Sequence, residues 1–235
     1  MHFLQLEKKM SKIKETAMFS RELKTLLDKN YKELSTAEGN ILSSAKGSEV
    51  KSIFVTSCQS SSGKTVSSIN LSYALATEAN AKVLLVDCNF HSPKIHELFG
   101  IMQNPGLSDY FRSDIEYQEL IRNSEYDNLK IMPVGSEIPN SIQVFKSRNF
   151  ANKLSALKNN FDYVIFDGDS VLGSSDVSIA AKHFDGIIFV VECEKTRWEI
   201  LQLAKRKAEN AGGNVLGVIL NKRKYYIPSM LYENI

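Results

Sequence analysis

The run Ser52-Ile53-Phe54-Val55-Thr56-Ser57-Cys58-Gln59-Ser60-Ser61-Ser62-Gly63-Lys64-Thr65 passes from an apolar β-branched segment, through a serine-rich turn, into Gly-Lys-Thr. Ser52 to Thr56 predicts a strand and Thr65 to Ala79 a helix, with Ile69, Leu75 and Ala76 on its inner side. The eight residues Cys58 to Thr65 then join a strand to a helix, and Gly-Lys-Thr has Walker A spacing. Such a junction gathers backbone N–H groups and a helix N-terminus around an anion. Ser60, Ser61, Ser62, Gly63, Lys64, Thr65 and Val66 form the expected phosphate cradle. Lys64 brings a charge to the outer phosphates, and the Thr65 hydroxyl suits Mg²⁺. Cys58 stands where the usual pattern begins with glycine. The competing reading is an ordinary strand–helix turn with a solvated lysine.

Working outward, short apolar strands alternate with helical patterns. Strands are expected at Lys82 to Val86, Leu129 to Pro133, Tyr163 to Phe166, Gly186 to Val191 and Val215 to Leu220. Helices are expected at Asn149 to Asn159, Ser175 to Lys182 and Arg197 to Ala211. Continuous Val/Ile/Leu runs belong to strands buried on both faces. The fold class is therefore α/β: a doubly wound, mainly parallel sheet. Two strands end in acids, Val86-Asp87 and Phe166-Asp167. In a parallel sheet both carboxylates emerge at the edge that carries the phosphate loop. Each can hold a metal or take a proton, although an acid after a strand is more commonly a helix cap.

Residues 1–46 read as a helical extension, 47–222 as the nucleotide-binding domain and 223–235 as a tail. Leu6, Met10, Ile13 and Ala17, then Leu23, Leu27, Tyr31 and Leu34, recur at helical spacing. Such a stripe packs on its own domain or on a partner. Ser43 to Ser48 reads as a turn. A net charge of +2 gives no basis for nucleic-acid binding. Three cysteines without paired spacing read as reduced thiols, and four histidines do not complete a zinc site. There is neither a membrane-length apolar run nor a secretory signal, so the expected location is cytoplasmic.

The motifs together resemble the bacterial tyrosine kinases, a branch of the P-loop ATPases that also holds the division and partition ATPases. The likeness runs from Lys51 to Asn221. Val55-Thr56-Ser57 with Gly63-Lys64-Thr65 looks like the family's Walker A, continued by Asn70-Leu71-Ser72-Tyr73-Ala74. Val83 to Pro93 looks like its second Walker motif, followed by His96 and Phe99. Met132-Pro133-Val134-Gly135 with Pro139-Asn140-Ser141 resembles a further connection, and Phe161 to Asp167 its Walker B. Ser175-Asp176 and Asp185 to Val191 follow in the same order.

The resemblance implies transfer of the ATP γ-phosphate to tyrosine, mainly on the chain's own tail. It also implies partnership with a membrane-bound adaptor that controls polysaccharide chain length, so that membrane association comes only through that partner. Self-association is a further expectation. By this likeness Lys64, Asp87 and Asp167 are catalytic, and Thr65, Asp87 and Asp167 hold Mg²⁺. Asn221 would meet the adenine edge, and Tyr225, Tyr226 and Tyr232 are candidate phosphoacceptors.

The sequence also departs from the family. Asn89 replaces the second acid, His91-Ser92 the basic pair, and Gly168-Asp169-Ser170 the Thr-Pro-Pro after Walker B. Ser60-Ser61 replaces Pro-Gly, and Lys32, Ser35 and Glu38 occupy the glutamate and arginine positions of the oligomer helix. An active autokinase regulating capsule or exopolysaccharide synthesis is the leading expectation. A catalytically weakened nucleotide-binding regulator of the same machinery is the alternative. A partition or division-type ATPase ranks last, since Cys58 to Ser62 contains no lysine. The N-terminal helices are the expected docking element for the adaptor.

Overall fold

The structure, a computed structural model, describes residues 16–29, 50–147, 149–174 and 176–223. In chain order the elements begin with β1 (Thr16–Ala17), α1 (Arg21–Lys29), β2 (Ser52–Ser57), α2 (Lys64–Thr77) and β3 (Val83–Asp87). Next come α3 (Ile95–Phe99), α4 (Leu107–Arg112), α5 (Tyr117–Leu120), β4 (Arg122–Ser124) and β5 (Leu129–Met132). They end with α6 (Ile142–Phe145), α7 (Phe150–Asn160), β6 (Tyr163–Ser170), α8 (Asp176–Ala180), β7 (Gly186–Glu192), α9 (Trp198–Asn210) and β8 (Val215–Asn221).

The eight strands form one sheet in the order β1-β4-β5-β3-β6-β2-β7-β8. All neighbours are parallel except β4 and β5. The expected α/β sheet is therefore present, with an antiparallel margin added at one edge. β2 lies between β6 and β7 and is buried along its whole length. Its alternate residues feed two different cores, as the pleat requires. Phe54 points into an aromatic layer with Phe166, Phe184 and Phe150. Ile53 and Val55 point into an aliphatic layer with Ile69, Leu75, Leu85 and Ile165.

The amino-terminal part differs from its helical expectation. Ala17 is in a strand, not a helix, because Thr16 and Ala17 pair with Asn123 and Ser124 of β4. Leu23 and Leu27 do lie on a helix, α1, but their stripe is buried against the domain itself. Phe19 is buried just before it, edge-on to Phe99 at 4.9 Å and Tyr126 at 5.1 Å. Glu125 accepts the Phe19 N–H at 2.9 Å and pairs with Lys24 at 2.7 Å. This face of α1 is therefore occupied by its own chain and cannot serve as the exposed docking stripe. Leu6, Met10, Ile13, Tyr31, Leu34, the Ser43–Ser48 turn, and Lys32, Ser35 and Glu38 lie outside the described residues, as do Tyr225, Tyr226 and Tyr232.

Candidate nucleotide site

The loop between β2 and α2 is shaped by two residues in the left-handed region, Ser61 at φ 64° and Gly63 at φ 92°. Left-handed residues set among ordinary ones turn successive N–H groups toward one point, the geometry of an anion cradle. Side chains hold the loop from beneath. The Ser57 hydroxyl donates to the Gln59 carbonyl, as does that of Ser62 at 3.1 Å. Cys58 is buried, and burial pushes its thiol pKa up, so it packs there as a small apolar residue.

From the far side of β7, Asn221 and Lys222 reach the same loop. Asn221 Nδ2 donates to the Ser62 carbonyl at 2.9 Å, and Lys222 Nζ donates to the Ser61 carbonyl at 2.8 Å. Asn221 Oδ1 accepts the Lys222 N–H at 2.9 Å. Asn221, expected at the adenine edge, is thus a brace for the phosphate loop in this structure. Ser60 and Ser61 are exposed, Ser62 is buried, and Gly63, Thr65 and Val66 are half-buried.

Lys64 opens α2 and is only 7% exposed. Burial lowers its pKa, while the Asp167 and Asp169 charges raise it. No side chain caps the N-terminus of α2, and its first turn holds no acid. Its leading N–H groups therefore suit an external anion.

Asp167 and Asp87 face each other as Cα partners on β6 and β3. Both are fully buried. Asp167 Oδ1 accepts the Ser68 hydroxyl at 3.0 Å, and the Thr65 hydroxyl lies near enough to this carboxylate to offset part of the desolvation that raises its pKa. Its other oxygen, Oδ2, is buried without a hydrogen-bond partner. Asp87 accepts three backbone N–H groups at 3.1 Å each, from Asn89, Lys94 and Ile95. It therefore ties down the loop that leads into α3. Desolvation, then the Asp167 charge, raises the Asp87 pKa to about 8; desolvation raises that of Asp167 to about 6. The pair accordingly retains a proton near neutrality.

Mg²⁺ fits these residues. It is commonly held through one or two carboxylates, with substrate phosphates and waters completing its shell. The orphaned Asp167 Oδ2 beside the Thr65 hydroxyl is such a donor set. Among the described residues no group of three or more His, Cys, Asp or Glu side chains forms a closed protein cage.

A family described as an AAA domain matches residues 50–206. A putative tyrosine-protein kinase, CapB of Staphylococcus aureus, is 31% identical over 183 residues, covering 78% of this chain and 80% of the relative. The chain belongs to the bacterial tyrosine kinases, within the AAA-domain ATPases. Another relative of this kinase family, the tyrosine-protein kinase YwqD of Bacillus subtilis, is 25% identical across 91% of this chain and 89% of its own. The crystal structure of the chimerical protein CapA2B2 superposes with a TM-score of 0.74 at 32% identity, covering 79% of this chain and 81% of that one. The septum site-determining protein MinD from Pyrococcus horikoshii, complexed with Mg-ADP, shares the fold alone, with a TM-score of 0.61 at 24% identity over 79% and 76% of the two chains. Membership in this ATPase class implies nucleotide binding.

Three residues of this kinase-family site were not assigned from the sequence. Ser68 lies one helical turn after Lys64, a spacing that could have found it. Asp169 and His91 form a pair, Oδ2 to Nδ1, at 2.8 Å. The change from Thr-Pro-Pro to Gly168-Asp169-Ser170 was the available signal for Asp169. Its direction depends on a bulge in β6 that no sequence pattern revealed. Among the described residues no helix is long and apolar enough to cross a membrane.

Proposed function

We propose that this chain is an ATP-dependent protein-tyrosine kinase acting in capsule or exopolysaccharide synthesis, with its own tail tyrosines among its substrates. The observation that carries the proposal is the convergence of three groups at one sheet edge. These are the left-handed phosphate loop, the buried Lys64 and the Asp167 carboxylate with its unpartnered oxygen. The names of the relatives support tyrosine as the acceptor.

In this reading the loop N–H groups and Lys64 hold the β- and γ-phosphates. Mg²⁺ supplies charge neutralisation on the phosphate oxygens. Thr65, Asp167 and Asp87 would hold it, with Ser68 fixing the orientation of Asp167. Catalysis is then positioning plus electrostatics, as phosphoryl transfer generally requires. A membrane-bound polysaccharide co-polymerase is the proposed adaptor, and it would bring the chain to the membrane surface.

The test is incubation of the full chain with labelled ATP and Mg²⁺, followed by mass spectrometry of Tyr225, Tyr226 and Tyr232. Label on those residues that vanishes in Lys64→Met is the expected result. Nucleotide binding without transfer would establish the second reading, a regulator with little catalytic power. One observation favours that alternative: Asn89 carries no charge, and its Oδ1 is occupied by the Ser92 N–H at 3.0 Å.

A further inference from the structure

A hollow of about 590 Å³ opens in the helical layer over the aromatic core. That volume is in the ordinary range for a small-molecule site. No residue assigned to the nucleotide site lines it. Its polar lining comes from three places: Lys146 and Ser147 just after α6, Ser178 in α8, and Lys182 and His183 in the single turn that extends α8. No acid lines it. The rest of the wall is apolar, from Phe145, Ile179 and Ala211. We propose that this hollow binds a small phosphorylated molecule, its phosphate held by Lys146, Lys182 and the two serine hydroxyls and its organic part resting on the apolar wall. The inference goes beyond the kinase reading and does not depend on it.

Packing fixes the base of the hollow. Gly212 is left-handed at φ 85°, and a Cβ on it would lie 3.3 Å from the Lys182 Cβ. A Cβ on Gly213 would lie 3.0 Å from that of Ala181. The turn after α9 thus presses on the foot of Lys182 and sets where this side chain leaves the fold. The His183 ring packs on that of Phe150, with centroids 4.8 Å apart. Lys146 and Lys182 are exposed, and neither is paired with an acid among the described residues.

Two independent features suit the hollow to an anion. The first is charge. Two ammonium groups and an imidazole line it with no carboxylate to offset them. Burial lowers the His183 pKa and the Lys182 charge lowers it further, while the nearby Phe145 carbonyl offsets part of this. The imidazole is then neutral at pH 7 and still carries one N–H. A phosphate ester brings close to two negative charges, against one for a carboxylate, and so matches two uncompensated lysines.

The second feature is Ser178. Its hydroxyl oxygen is buried without a hydrogen-bond partner. Ser178 stands two residues into α8, so no helical carbonyl lies one turn behind it. Buried polar atoms are nearly always paired in native folds, and a ligand oxygen would accept from this hydroxyl. The Ser147 hydroxyl accepts the Asn149 N–H at 3.3 Å, which leaves its own hydrogen for the same ligand. Phosphate oxygens only accept, and the polar lining can meet them with donors alone.

The experiment uses the full chain saturated with Mg²⁺-ADP, so that the phosphate loop is occupied. Glucose 1-phosphate, inorganic phosphate and glucuronate are titrated in at constant ionic strength. Calorimetry and NMR of the His183 ring, assigned with His183→Gln, follow binding. Glucose 1-phosphate should shift the His183 signals saturably and bind about ten-fold more tightly than glucuronate, as one further charge-assisted contact allows. Lys146→Gln/Lys182→Gln should weaken it by ten-fold or more, and Ser178→Ala by about five-fold, as charged and neutral hydrogen bonds respectively contribute. Lys205→Gln, elsewhere on α9, should change nothing. Urea midpoints and ADP affinity should stay at wild-type values in all of these variants. No saturable His183 shift with glucose 1-phosphate, or unchanged affinity in the double lysine variant, would overturn the site. Equal affinity for inorganic phosphate would overturn the role given to the apolar wall. None of these readouts needs phosphoryl transfer, so a failure here leaves the kinase reading standing, and an inactive chain leaves this site standing.

Discussion

Gly63 and Asn221 touch: a Cβ built on Gly63 would fall 2.0 Å from the Asn221 amide nitrogen. The last strand of the sheet thus closes directly onto the phosphate loop. Gly63 is also left-handed, at φ 92°. Gly63→Ala should therefore cost about 1–3 kcal/mol of stability and weaken ATP binding at least ten-fold. Gly63→Ala/Asn221→Ala should recover the steric part but not the backbone part. Urea denaturation and calorimetry on both variants measure the two contributions.

Lys64 is buried as a cation, which is unfavourable without a counter-charge. Lys64→Met should therefore leave the fold intact while reducing ATP affinity by ten-fold or more and abolishing phosphotyrosine formation. Urea midpoints, calorimetry and the labelling assay would separate these effects.

Asp87 and Asp167 set the pH response without metal or nucleotide. Their folded pKa values are raised to about 8 and about 6. Unfolded carboxyls have lost their protons by about pH 5, whereas the folded pair keeps them, so folding takes up protons. Stability should fall as pH rises toward 8. His183, lowered by burial, works in the opposite sense below about pH 6.5, so the clean window is roughly pH 6.5 to 8. Urea titrations across that window should show the decline, and Asp167→Asn should flatten it. Mg²⁺-ATP binding should release protons, measurable by calorimetry in buffers of different ionisation enthalpy.

Asp185 holds the opposite end of the same strands. It accepts the Lys51 and Ser52 N–H groups at 3.0 and 2.8 Å and the Ser52 hydroxyl at 2.9 Å, and it pairs with Lys158 at 2.6 Å. Desolvation pushes its pKa up, but those bonds together outweigh it and hold the carboxyl below the usual range. Asp185→Ala should lose about 2–3 kcal/mol in urea denaturation, typical of charge-assisted hydrogen bonds, with ATP affinity unchanged. Its contribution should disappear as pH falls below about 4, where the carboxylate is protonated.

Phe19 anchors the amino-terminal segment between Phe99 and Tyr126. Phe19→Ala should cost about 3 kcal/mol, in the range for a buried aromatic. Chemical denaturation tests this. A neutral result would mean that the segment is not part of the folded core.

The central strands were legible because each is a continuous apolar run, and Val83 to Asp87 and Gly186 to Glu192 lie within a residue of expectation. β6 runs on to Ser170, beyond its expected end at Phe166. Phe54 and Thr56 draw it back into the sheet, and that tertiary contact has no local signature. β1 and β4 hold two and three residues, too few to show a period of two. Helices α3 to α6 are four to six residues long and carry no helical period. In the site, Lys64 and the two strand-end acids were legible from motif spacing. The role of Asp87 in tying down the α3 loop was visible only as a general tendency of such acids. The brace from Asn221 depends on strand order, which spacing alone does not encode.

β1 runs against the main strands, since it parallels β4, which opposes β5. Thr16 therefore lies on the same rim of the sheet as Asn221, the last residue of β8. These two points flank the rim from opposite margins, roughly 30 Å apart across seven strand spacings. The phosphate loop leaves β2, two strand positions from β8, and Asn221 already bonds to it, so a protein seated at the Thr16 margin of that rim would leave the Asn221 side of the site clear.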